Sequence, residues 1–438
     1  MDAKEYYKKV FSRLENCFEY NDFAIAVEDE LIKEGCDPSF PALCLPIDSL
    51  SYLSEQRGLQ VHLPIVGTKS QSVLMPMDFE IFLSKDNYKL YTDKESQRDY
   101  FKQTVPVLDF IKKIFTDRGM PFLLDYTPSG GHILFQNLLS DRSTLEIQKI
   151  GYLEEDLIRS CKNVNPSDLR RRHGISLEAA SVFSGLGRIA EYVAFLTMTE
   201  FKNEEAEGRL PVTISDALDK CINLDNSWAE GSPHMRSIRS PFSMHKKNHE
   251  KYKQYNVPPL VDVIGGSYDG KKYHGHIDVD NVIECMWDLE KAAEHSQQFS
   301  GIIPTSNDSM IDFIAEYKKS DLYKFHQEFD AEPDLPHGQA LAKAKKENNV
   351  PDWTKNIVFN PNPLAVRPIN IIGFVYDFVI RAKWHPKHVA NILRDIYLDP
   401  ANKWTQDFID AYPAEEKANF WTRTYAGIAY WNEGTMKF

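Results

Sequence analysis

Residues 72–84 read SVLMPMDFEIFLS. Apolar and aromatic residues dominate the run, which marks it as a strand. Asp78 and Glu80 sit inside it at i, i+2 spacing. On an extended backbone that spacing puts both carboxylates on one face of a sheet. Two adjacent acids repel, and a shared cation relieves the repulsion. Two exposed acids on a solvated face fit the same pattern equally well. Lys85–Asn87 (KDN) then reads as a hairpin turn into a strand at Tyr88–Tyr91 (YKLY).

Downstream, residues 96–118 have the periodicity of an amphipathic helix, closed by Gly119 and kinked or started at Pro106. Pro121–Leu139 predicts two strands, PFLLDY and HILFQNL, joined by the turn TPSGGH. Gly130 and Gly131 would let backbone N–H groups approach a phosphate, with His132 entering the strand beside them. A plain hairpin turn is the bland alternative. Residues 152–162 and 176–201 predict helices, the second apolar enough for a core position, with Arg188 and Glu191 as an internal ion pair. Thr213–Cys221 reads as a short helix leading to Asp225.

The stretch Leu224–Lys247, LDNSWAEGSPHMRSIRSPFSMHKK, opens on one carboxylate and closes on a cationic, hydroxyl-bearing run. Pro241 and Phe242 break any helix there. Arg239, Ser243, His245 and Lys247 offer a guanidinium, a hydroxyl, an imidazole and an ammonium, the chemistry that a triphosphate needs. Asp225 suits a divalent ion bridging the same phosphates. A solvated basic loop beside an unrelated acid is the competing reading.

These stretches, in this order, resemble the archaeo-eukaryotic primase superfamily, in particular the primase small catalytic subunit and primase-polymerases. MDFEIF matches a strand-borne acid-x-acid pair. The Ser129–His132 turn matches a Ser-Gly turn leading to a histidine, shortened here and without the intervening arginine. Asp225, the SPFSMH hexapeptide and Lys247 match a third motif. The resemblance covers roughly residues 70–265. It implies an α+β fold, an RRM-like catalytic core with flanking helices. It also implies a metal triad of Asp78, Glu80 and Asp225 holding two Mg2+ or Mn2+ ions, with Ser129, His132, Arg239, Ser243, His245 and Lys247 binding the nucleotide. The implied activity is DNA primase or polymerase nucleotidyl transfer from NTP or dNTP on a single-stranded DNA template. A helicase or accessory replication subunit is the partner such an enzyme would take. Two other readings stand beside it: a catalytically weakened nucleotide or nucleic-acid binder (initiator or sensor), and a metal-dependent nuclease.

The rest of the chain sets the frame. At 438 residues it has room for two or three domains. Residues 1–300 are expected to form the catalytic domain, 301–365 a linker with short helices, and 366–438 a helical C-terminal domain. Residues 3–35 read as helix and Gly35–Ser49 as a loop. PPLVDVI reads as a strand, and Val279–His295 as helical. His274 and His276 read as a surface hairpin, not a metal pair. Six cysteines include no CxxC pair, so a zinc knuckle is not expected. No apolar run looks long enough to span a bilayer, and the charged N-terminus lacks a signal-peptide core. A cytoplasmic location without membrane contact is the expectation. The net charge of −13 opposes nucleic-acid binding by the chain as a whole. Basic clusters at Arg170–Arg172, Arg236–Lys253 and Arg381–Arg394 predict a basic groove on an acidic body.

Overall fold

The computed structural model describes residues 1–27, 43–67, 71–202, 209–214, 218–275, 277–360, 368–402 and 413–436. Its strands are β1 (Phe23–Val27), β2 (Leu43–Pro46), β3 (Gln60–Pro64), β4 (Ser72–Phe82), β5 (Phe122–Thr127), β6 (Gly130–Leu138), β7 (Val212–Thr213), β8 (Cys221–Asp225), β9 (Ser237–Arg239), β10 (Val263–Tyr268) and β11 (Tyr273–His274). They form two sheets amid many helices, so the class is α+β, as expected. The larger sheet has the order β11-β10-β5-β6-β4-β8-β7, and the smaller β2-β1-β3-β9.

β4 is the axis of the larger sheet. It pairs antiparallel with β6 along Ser72–Glu80 and with β8 along Asp78–Phe82. Pro76 lies inside this strand, where a missing N–H would normally disrupt a ladder. It falls between Leu74, whose N–H bonds Ile65, and Asp78, where β8 pairing begins. The missing donor therefore lies in a gap between two partners. The alternating residues Met77, Phe79 and Ile81 are buried, and helices Lys94–Thr116 and Leu177–Glu200 pack on this strand. Asp78 and Glu80 occupy the opposite face.

The smaller sheet is continuous with the larger through Ile65, which accepts from Leu74 and donates to the carbonyl of Arg236. Helix Ala3–Asn16 starts with a reciprocal cap between Asp2 and Glu5 and buries Tyr6, Tyr7, Val10 and Leu14. Tyr7 hydroxyl donates to the Leu59 carbonyl at 2.7 Å and accepts from Met244 N–H at 3.0 Å. That one phenol ties the first helix to the SPFSMH segment.

Several local expectations change. The helix expected over 3–35 ends at Asn16, and Phe23–Val27 is a fully buried strand, too short to show a period. Lys89–Thr92 is helical, not a strand. The stretch leading to Asp225 carries strands β7 and β8 where a helix was expected. Leu177–Glu200 is long and apolar enough to cross a membrane by composition, but 83% of that window is buried inside the fold. Arg188 and Glu191 do not pair with each other as expected. Arg188 binds Asp330 at 2.8 Å, while Glu191 binds His326 at 3.1 Å and Arg423 at 3.3 Å.

Those last contacts come from the stretch expected to be a linker and from the final helix, Ala414–Asn432. The linker stretch is instead built into the body. Residues Pro304 and Ser306 bracket Gln136 of β6 with backbone hydrogen bonds, and helices Ser309–Tyr317 and Asp321–Ala331 follow. Their buried polar groups need partners, and the central helix supplies them. The C-terminal segment carries the helices Pro368–Tyr376, Pro386–Leu398 and Ala414–Asn432. Lys387, inside the basic cluster Arg381–Arg394, is buried on Glu154 at 2.8 Å.

Candidate active site

Strand register gathers the acids. Asp225 of β8, Asp78 of β4, His132 of β6 and Asp125 of β5 are successive cross-strand partners. Directly opposed residues share a face, so the four side chains form one row across the sheet. Glu80 lies two residues along β4 on the same face, opposite Gly130 and Asn223. The hairpin can approach this closely because of its glycines. A Cβ on Gly130 would sit 1.8 Å from the Phe79 carbonyl oxygen, and one on Gly131 would meet the Phe79 ring at 2.7 Å.

The row is electrostatically tense. Burial, then Glu80 and Asp225, push the Asp78 carboxyl well above the usual range, with Arg239 opposing. Burial also raises Asp225, against the Ser227 N–H that bonds its Oδ1 at 2.8 Å. His132 Nδ1 lies 3.1 Å from Asp125 Oδ2, and its Nε2 lies 3.8 Å from Asp78 Oδ1. Burial raises Asp125 and lowers His132 to about 3. His132 thus turns Nδ1 to Asp125 and Nε2 to Asp78.

Arg239 is placed by β9, which pairs with β3, so the smaller sheet carries the cation to the acids. Its Nε is 3.2 Å from the buried Asp262. Its Nη1 is shielded from solvent and has no hydrogen-bond partner among the described residues; the same holds for Asp125 Oδ1 and both side-chain polar atoms of Asn226. Buried polar atoms left this way are exceptional in native proteins. Between the two sheets lies a cleft of about 170 Å³ bordered by His62, Asp78, Arg170, Asp225 and Arg236. Arg236 is fixed by Glu230 at 2.8 Å, and Lys417 of the last helix binds the same carboxylate at 2.8 Å. Burial alone would raise Glu230, but Lys417 and Arg236 outweigh it and hold it ionised.

The remaining expected nucleotide ligands are placed differently. Ser129 is buried at the hairpin turn, near Tyr91. Ser243 is fully buried, and its Oγ accepts the Val61 N–H at 2.9 Å, which commits it to β3. His245 is buried with its ring 5.5 Å from Tyr91. Lys247 belongs by its backbone to the helix Lys246–Tyr252, and its side chain lies outside the described residues. His276 lies outside them too, while His274 bonds Asp269 at 2.9 Å in a surface hairpin. Asp125 and Asp262 are the site residues that the sequence did not single out. Asp125 is the one acid of β5 and Asp262 immediately precedes β10, and only the pairing of distant segments reveals what each faces.

Three carboxylates are hard oxygen donors suited to Mg2+ or Mn2+, and the repulsion at Asp78 is what a divalent ion relieves. Their ligand atoms do not all come within 4.8 Å of one another. Among the described residues, the group that does is Glu154, Asp334 and Glu415, which could hold a metal ion. That group already has a cation: Lys387 Nζ lies 2.8 Å from Glu154 and 3.6 Å from Asp334.

The chain matches no family model, no curated protein and no solved structure.

Proposed function

We propose that the chain is a nucleotidyl transferase of the primase-polymerase kind, with an RRM-like core, acting from NTP or dNTP on a single-stranded DNA template. The observation that carries this reading is the row Asp225–Asp78–His132, flanked by Glu80 and faced by Arg239. When bound at Asp78, Glu80 and Asp225, Mg2+ or Mn2+ supplies the charge that makes a 3′-hydroxyl nucleophilic and offsets charge on the leaving pyrophosphate. Arg239 Nη1 offers an unspent donor to a phosphate oxygen. His132 presents Nε2 from a ring that Asp125 orients. Arg236 and Arg170 border the cleft as further cations. Asp262 keeps the Arg239 guanidinium in place through Nε. Such preorganised donors stabilise charge as it develops on the phosphates.

A second reading, a binder with weakened catalysis, is favoured by two observations. The cleft of about 170 Å³ is below the ~300–1,000 Å³ of ordinary ligand pockets, and Ser243 is spent on the fold. Template extension separates the two. With a labelled primed template, dNTP and Mg2+ or Mn2+, the first reading expects extension that disappears in Asp78→Ala/Glu80→Ala. Nucleotide binding without extension supports the second. Degradation of the labelled strand without added nucleotide points to a nuclease.

A further inference from the structure

A chain of tyrosines leads from the acid row to the surface. Tyr91 lies beside His245, with ring centroids 5.5 Å apart. Tyr91 stacks on Tyr252 at 5.4 Å and 22°. Tyr252 meets Tyr255 edge-on at 6.5 Å. Tyr255 stacks on Tyr88 at 5.7 Å and 16°. Tyr255 is 49% exposed, so the outer end of the series opens to solvent. A packing role alone would bury the last pair.

The surroundings of the rings are cationic. The segment Lys246–Lys253 reads KKNHEKYK, with one acid in eight residues, in a chain whose net charge is −13. Lys251 is exposed, lies 5.0 Å from the Tyr252 centroid and makes no ion pair among the described residues. Lys253 pairs with Glu250 at 3.3 Å. Lys89 and Lys220 share Asp86 at 3.3 and 3.4 Å. Lys89 sets an ammonium beside Tyr88.

An exposed ring flanked by ammonium groups suits an unpaired polynucleotide: a base stacks on the aromatic face and phosphates meet the lysines. Duplex DNA would hide the faces that stack. We infer that the Tyr88–Tyr255 surface, with Lys251 and Lys89, is a docking platform for single-stranded nucleic acid leading to the Asp78 row. The inference rests on the transferase reading for the direction of the strand, but not for its binding.

The test is fluorescence anisotropy with a labelled oligothymidylate and the full chain. Tyr255→Ala should weaken binding about fivefold or more, since each stacked base contributes substantially. Tyr255→Phe should restore it. Lys251→Glu should weaken binding and flatten its dependence on salt. Unchanged melting temperatures show that the variants are folded. Wild-type affinity in both Tyr255→Ala and Lys251→Glu overturns the platform, as does failure of the wild type to bind oligothymidylate. Polyglutamate bound as tightly as DNA and insensitive to Tyr255 marks a plain charged face and overturns it too. Sensitive binding without nucleotide incorporation keeps the platform and removes the transferase reading instead.

Discussion

Asp78 and Asp225 stand directly opposite each other on neighbouring antiparallel strands. Two partly buried carboxylates facing each other raise the energy of the metal-free fold. Replacing Asp78 or Asp225 by Asn should therefore raise the melting temperature in EDTA while lowering nucleotide incorporation by at least about a hundredfold. In the wild type Mg2+ or Mn2+ should raise the melting temperature, and in Asp78→Asn that gain should shrink. Scanning fluorimetry with and without metal measures both.

Asp125 should act through His132. Asp125→Leu removes the group that holds Nδ1 and frees the ring to turn. We expect KM for the nucleotide to rise about tenfold, with kcat less affected. His132→Ala should show the same loss, and the double variant little more, because the two act as one unit. Additive losses in the double-mutant cycle would separate them.

Gly130→Ala puts a methyl group 1.8 Å from the Phe79 carbonyl oxygen. Backbone, not a flexible side chain, would have to yield. We expect a loss of about 3 kcal/mol or more in urea denaturation, with His132 displaced from Asp78.

Glu416 gives the fold a dependence on alkaline pH. Burial first, then Glu154 and Asp156, raise its carboxyl from 4.5 to about 8. An acid with a raised value in the fold binds its proton more tightly there than in the unfolded chain. Its stabilising contribution is complete below about pH 4.5 and is lost as pH rises through about 8. Glu416→Gln should match the wild type near pH 5 and exceed it near pH 9 by on the order of 1–3 kcal/mol. Denaturation at the two pH values decides it.

The sequence was most legible where the period was long. SVLMPMDFEIFLS, the PFLLDY–HILFQNL hairpin and the central helix appear as strand, strand pair and helix, because each repeats its pattern over several residues. Short elements were not legible. CINLD is buried along nearly its whole length and has no alternation, so β8 was hidden, and with it the reason Asp225 faces Asp78. YKLY looks like a strand by composition, but the tyrosine stacks make it a helical turn against Lys246–Tyr252. Ser243 illustrates a further limit. A hydroxyl in a basic run suits a phosphate, yet the Val61 amide also needed an acceptor, and nothing local reveals that need. Asp125 and Asp262 depend entirely on cross-strand register and on the approach of the second sheet.

Glu230 clasps Arg236 at the cleft with one side and Lys417 of the last helix with the other. The wall of the cleft is thus braced from the far end of the polypeptide. Amputating the chain at residue 300 would take Lys417 from Glu230, His326 and Arg423 from Glu191, and Asp330 from Arg188, breaking ion pairs inside the fold. The smallest working unit of this protein is consequently longer than its motifs, and a truncation guided by them alone should yield insoluble material.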